Sequence, residues 1–291
     1  MHLQSLIPLA LKTSIFLTVF SLGSQATFAD ATYLFRHPRM LFRGIISMSV
    51  VMPLLALLLV MTFNLHPAVK IALVALSVSP VPPLFPKNAL KAGGKESYAV
   101  GLLVATVLLA IITIPITMEI FSKVTGVPLQ MSPLSVAVVV FKTALTPLLL
   151  GILMHTFATA FAERVAKPIG KVAVVLLIVG VVPVLFVSMR AILSLLGDGT
   201  LLSLVAFALI GYAVGHLLGG PAPEDRSVLA LATASRHPAL AVAIAQANFP
   251  QQKLALPAVL LYLIVSTVVT GAAPKLMKKK SPAAVEPQPV S

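Results

Sequence analysis

Apolar runs of about twenty residues recur along this chain, joined by short polar links, and that rhythm excludes most ways a polypeptide can fold. A soluble domain covers its core with roughly 25% charged residues. Here the charged fraction is 10% and the hydrophobic fraction 58%. The outer wall must face lipid, where only helices and closed barrels satisfy every backbone N–H and C=O. The runs lack strict alternation, so helices are predicted rather than barrel strands. The absence of cysteine excludes disulfides and thiolate metal sites.

Nine spans are predicted, near 3–22, 40–62, 66–93 (broken), 97–121, 134–156, 170–190, 200–219, 226–249 (broken) and 252–274. The tail 278–291 reads as disordered and cytoplasmic from its Pro, Lys and Ala content. The net charge of +13 follows membrane topology and gives no reason to expect nucleic acid as a partner. One set of alternating links, with the C-terminus, holds 13 Lys and Arg residues, and the opposite set only Lys70, Lys123, Arg190 and Lys253. By the positive-inside rule the N-terminus lies outside and the C-terminus in the cytoplasm, a parity that nine spans satisfy. The expected location is the cell membrane, the inner membrane in a bacterium. Residues 1–30 have a rival reading as a cleaved signal peptide, because Ala29-Asp30-Ala31 imitates a cleavage site. Lys12 interrupts the apolar region and argues for a retained span.

Two spans cannot be continuous. The third contains Ser79-Pro80-Val81-Pro82-Pro83-Leu84-Phe85-Pro86-Lys87, whose prolines remove backbone donors and clash with the preceding turn. Its helix should stop near Ser79 and restart near Phe85 or Pro86. The eighth contains Ala234-Ser235-Arg236-His237-Pro238. Irregular backbone inside a span is tolerated only within protein or beside a watery cavity. Paired interruptions at matching places in two halves point to a transporter's binding site, since restarting half-helices offer free N–H groups to an anion. Ordinary proline kinks are the plainer alternative, but each break also carries a cation. Insertion scales put a central Lys or Arg at about 2.5–3.5 kcal/mol, so Lys87 and Arg236 need a reason to be there. The candidate substrate-binding residues are therefore Lys87, Arg236, His237, Ser235, Asn88, Pro83, Pro86 and Pro238. Snorkelling to the cytoplasmic side is the competing account of Lys87. Lys12 and Lys142 sit at no break, and His37, His66, His155 and His216 lie near span ends.

Several motifs in order resemble the bile acid:sodium symporter family across nearly the whole chain: Phe20-Ser21-Leu22-Gly23, Leu34-Phe35-Arg36-His37-Pro38, Met52-Pro53, the Ser79-Pro80 break, and Ala239-Leu240-Ala241-Val242-Ala243-Ile244-Ala245. The resemblance implies an all-α polytopic protein of inverted repeats with two broken, crossing helices. It implies a panel (1–22 and 134–190) moving against a core (40–121 and 200–275), with the first of the family's ten spans missing. It also implies that the matching sodium-ligand positions are Met48, Phe85, Pro86, Ala99, Leu103 and Ala232, none of which carries a suitable oxygen. Sodium wants several oxygens. The expectation is a secondary transporter of a small organic anion without the family's sodium coupling, in which Lys87 and Arg236 fill the space of the two ions. Lys87 or His237 would titrate if transport is linked to protons. The residues leave open a sodium-coupled symporter of the bile-acid type and an anion channel of the same fold. No core carboxylate, no cysteine and only isolated histidines are available, so no enzyme, cofactor or metal site is expected.

Overall fold

The computed structural model describes residues 3–129 and 132–280. All regular structure among them is helical. The principal helices are α1 (Leu3–Gly23), α2 (Pro38–Thr62), α3 (Pro67–Val78), α4 (Phe85–Lys91), α5 (Glu96–Thr125), α6 (Pro133–Phe157), α7 (Thr159–Ser194), α8 (Thr200–Leu218), α9 (Pro223–Ala234), α10 (Pro238–Asn248) and α11 (Ala255–Lys280). Among the described residues, seven stretches are long and apolar enough to cross a membrane, α9 and α10 counting together, and Leu9–Gly23 and Pro67–Val78 are shorter apolar helices. Nine apolar segments thus stand where nine were predicted.

Two boundaries differ from expectation. α7 starts at Thr159, not near 170, because Pro168 lies within a helix already under way. α11 continues to Lys280, so Lys278–Lys280 are helical and not part of a disordered tail. The rest of that tail, 281–291, lies outside the described residues.

Packing divides the helices into two groups. α1 lies along α6 and α7. Ser14 Oγ donates to the Ala173 carbonyl at 2.7 Å and Ser21 Oγ to the Ala166 carbonyl at 2.8 Å, both bonds buried. Gly23 and Gly151 let α1 and α6 touch backbone to backbone: a Cβ on either would strike the other helix's main chain. Membrane helices associate this way, since lipid leaves close van der Waals contact as a main attraction. α1 is thereby an integral part of the bundle. In the second group α8 packs on α9, α2 and α11, and α3 packs on α10 and α11. Helices of the first and second halves also pack across the middle of the chain, α1 with α6 and α7, α2 with α8, and α3 with α10 and α11.

The link between α1 and α2 folds against the start of α5. A short helix, Phe28–Ala31, is capped by Thr27, and Asp30 accepts hydrogen bonds from Ser97 Oγ at 2.6 Å and Thr27 N at 2.9 Å. Burial pushes the Asp30 carboxyl up, but these bonds and the nearby Arg36 charge outweigh it and hold the group below the usual carboxylate range. Lys95 Nζ donates to Tyr33 Oη at 3.0 Å at the same end.

Two helices carry a local π-turn, Ile46–Val51 in α2 and Phe141–Leu145 in α6. Each precedes a proline, Pro53 and Pro147. A proline ring removes one donor and crowds the carbonyl four residues back, and a widened turn relieves both.

Candidate functional site

Each proline-containing break stops a helix, and the stumps meet. α3 ends at Val78 and α4 starts at Phe85, while α9 ends at Ala234 and α10 starts at Pro238. Buried backbone groups left over at such ends need partners, and here the two breaks supply each other. The His237 N–H donates to the Pro80 carbonyl at 2.9 Å. Arg236 Nη1 donates to the Ser79 carbonyl at 3.0 Å and, more weakly, to the Met48 carbonyl at 3.4 Å. Tyr262 Oη, on α11, donates to the Ala234 carbonyl at 2.6 Å and closes the end of α9.

Arg236 is 1% exposed, the largest fully buried side chain among the described residues. Its Nε and Nη2 have no partner. No carboxylate answers its charge: the one ion pair among the described residues is the exposed Glu119–Lys123 pair at 3.3 Å. His237 is equally buried. Its Nδ1 accepts from the Leu240 N–H at 3.3 Å and so caps α10, which assigns the ring proton to Nε2, 3.4 Å from Thr143 Oγ1. The cap uses the lone pair that a second proton would need. Met48 and Thr143 both belong to π-turns, so the widened turns of α2 and α6 deliver the groups that face Arg236 and His237.

Lys87 is elsewhere. As the third residue of α4 it lines a cavity of about 690 Å3. α1 and α7 form one wall of that cavity, and α4 with the start of α5 forms the other. Lys91, Lys167 and Lys171 also line it, against a single carboxylate, Glu96. Leu22, Leu90, Val174 and Val175 supply apolar surface. A second cavity, about 10 Å3, adjoins Arg236 and shares no lining residue with the first. Lys87 therefore does not join Arg236 at the crossing, where the sequence reading set both. α4 leads away from the break and carries Lys87 towards α1 and α7.

Of the remaining sequence candidates, Pro83 and Pro86 are buried around the first break, Ser235 is half-buried in the second, and Pro238 opens α10. Asn88 is exposed and lines neither cavity. Lys91, Lys167 and Lys171 are among the 13 basic residues that entered the sequence reading only through the positive-inside count. Met48 and Ser79 are named by the sequence as a ligand position and a break, without a role for their carbonyls; Thr143 and Tyr262 are not, and no local motif gives a signal for them.

The described residues form an all-helical bundle of candidate membrane spans round two interrupted helices that bond to each other, an arrangement that fits a membrane transporter. Residues 13–195, more than half of the chain, match the model of the Sodium Bile acid symporter family, and the chain belongs to that family. Comparison with curated proteins found no match.

Proposed function

We propose that the chain is a secondary transporter of a small organic anion, working by alternating access of a core (α2–α5 and α8–α11) against a panel (α1, α6 and α7). The observation that carries this reading is the large cavity between α1–α7 and α4–α5, with Lys87, Lys91, Lys167 and Lys171 on its wall. Its volume falls within the range of about 300–1,000 Å3 usual for small-molecule sites. Four lysines against one glutamate favour an anion, and the leucines and valines suit an apolar body behind the charged group. Lys87 has the central role because, of the two cavity lysines on α4, it lies nearer the break, while Lys91 ends that half-helix.

The family's name speaks of sodium, and the crossing does not suit that ion. The Ser79 and Met48 carbonyls, ligands a hard cation would use, accept instead from a guanidinium. A fixed positive charge at the same place repels a second one. Uptake independent of sodium is the consequence, by uniport, exchange or proton linkage. Positive-inside counting puts the lysine-lined mouth on the cytoplasmic side.

The test is uptake into proteoliposomes, with and without a sodium gradient, of labelled taurocholate and simple carboxylates, after a thermal-shift screen has chosen the anion. Lys87→Ala is expected to abolish the saturable component. Unchanged flux in that variant would remove Lys87 from the pathway, sodium-driven uptake would remove the uncoupled mechanism, and ohmic current without countertransport would make the protein a channel.

A further inference from the structure

The basic cavity carries its charge in two pairs. Lys87 and Lys91 lie four residues apart on α4, and Lys167 and Lys171 four apart on α7. Each pair therefore shares one face of its helix, its members about 6 Å apart along the axis. Like charges at that spacing weaken a helix unless something answers them. No protein group does so: the one ion pair among the described residues is Glu119–Lys123, so Glu96, on the cavity wall, pairs with none of the four. Glu163, one turn before Lys167, is exposed and does not line the cavity. On the α1 wall two uncharged polar groups are turned to backbone. Ser21 Oγ donates to the Ala166 carbonyl, and Gln25 Nε2 donates to the Ser21 carbonyl at 2.9 Å. Recognition of a charged ligand thus falls to the lysines. Apolar surface adjoins both pairs, with Leu90 on the α4 face and Val174 and Val175 one turn beyond Lys171 on α7.

We infer that the ligand of this cavity is an organic dianion, two anionic groups joined by a short apolar body, one group taken by the α4 pair and the other by the α7 pair. A monoanion leaves one pair unanswered. An inorganic dianion brings its charge in a single group and leaves the leucine and valines without a partner. The inference rests on the reading of this cavity as the transport site and adds the number and placement of the charges. In that reading α4 belongs to the core and α7 to the panel, so a ligand with one charge on each spans the two bodies that move.

The test compares dicarboxylates with monocarboxylates of the same chain length, succinate with butyrate, glutarate with pentanoate and adipate with hexanoate. The full chain is held in phosphatidylcholine vesicles, whose headgroups carry no net charge, so no anionic lipid stands in for either end. Apparent Kd comes from ligand titrations of the melting temperature at constant ionic strength, and labelled uptake is followed in the same vesicles. In at least one pair the dicarboxylate is expected to bind about tenfold tighter, or about 1.4 kcal/mol. The figure is modest because Lys91, Lys167 and Lys171 are exposed and exposed ion pairs are weak. The double variant Lys167→Gln, Lys171→Gln should erase most of that ratio, and Lys91→Gln should lower it if the double variant fails to fold. Arg164→Gln, at the same end of α7 but outside the cavity, should keep it. Equal binding within every pair, with saturable uptake intact, overturns the dianion and leaves an anion transporter. A ratio that survives loss of the α7 lysines, or that falls as far in Arg164→Gln, overturns the placement of the charges. Binding and uptake of none of these anions overturns both the dianion and the transport site.

Discussion

Replacing Arg236 by Met separates what its charge does from what its bulk does. The Nη1 bond to the Ser79 carbonyl, at 3.0 Å, is a hydrogen bond from a charged donor, of a kind that contributes about 1.5–3 kcal/mol. The contact with the Met48 carbonyl is 3.4 Å and adds little. Against that stands the expense of a guanidinium within a membrane span, about 2.5–3.5 kcal/mol on insertion scales. The two nearly cancel, and Met fills much of the volume with a flexible apolar chain. The net change should therefore stay within about 1 kcal/mol, or less than about 4 °C in melting temperature. Arg236→Lys keeps a charge but loses the planar fork, and should be the less stable of the two. Transport should behave otherwise. Without Nη1 the first break is no longer tied to the second, and a misplacement of about 1 Å at a working site can lower turnover on the order of 100-fold. The assays are thermal unfolding and initial uptake rates in proteoliposomes, run on the same preparations. A melting temperature more than about 8 °C below the unmodified protein would refute the near-cancellation, since it would mean that burying the charge is cheap here. Full transport activity in Arg236→Met would refute the tie between the breaks.

Two further outcomes follow from the packing. In Gly151→Leu the new side chain must displace the main chain of α1 at Phe20–Ser24, so α1 should undock from α6, with a loss of about 1–3 kcal/mol and faster proteolysis of the link after Gly23; unchanged thermal stability would mean that the contact is not tight. His237→Ala removes the α10 cap, a loss of about 1 kcal/mol, and His237→Asn should recover most of it because Asn also caps; equal melting temperatures for Ala and Asn would show that the cap contributes nothing.

The membrane-spanning class, the number of apolar segments and both breaks were legible in the residues, and for a reason that lies within each segment. Lipid forces every span to satisfy its own backbone, so hydropathy reports length, and proline interrupts whatever helix it enters. The stops at Val78 and Ala234 and the restarts at Phe85 and Pro238 fall where Pro80–Pro86 and Pro238 dictate. Composition set the start of the tail three residues early, at Lys278, because Lys-rich sequence at the end of an apolar helix can simply continue it. What a break's side chains touch is another matter. Lys87 and Arg236 look equivalent as single cations at two interruptions, yet one turns into the basic cavity with Lys91, Lys167 and Lys171, and the other bonds the Ser79 carbonyl 157 residues away. The π-turns that bring Met48 and Thr143 to the crossing depend on how α2 and α6 accommodate Pro53 and Pro147 against their neighbours. Local rules settle where a helix begins and ends. Which faces then meet is settled by packing between segments far apart in the chain, and in a bilayer that packing rests on small residues such as Gly23 and Gly151 whose partners no local pattern names.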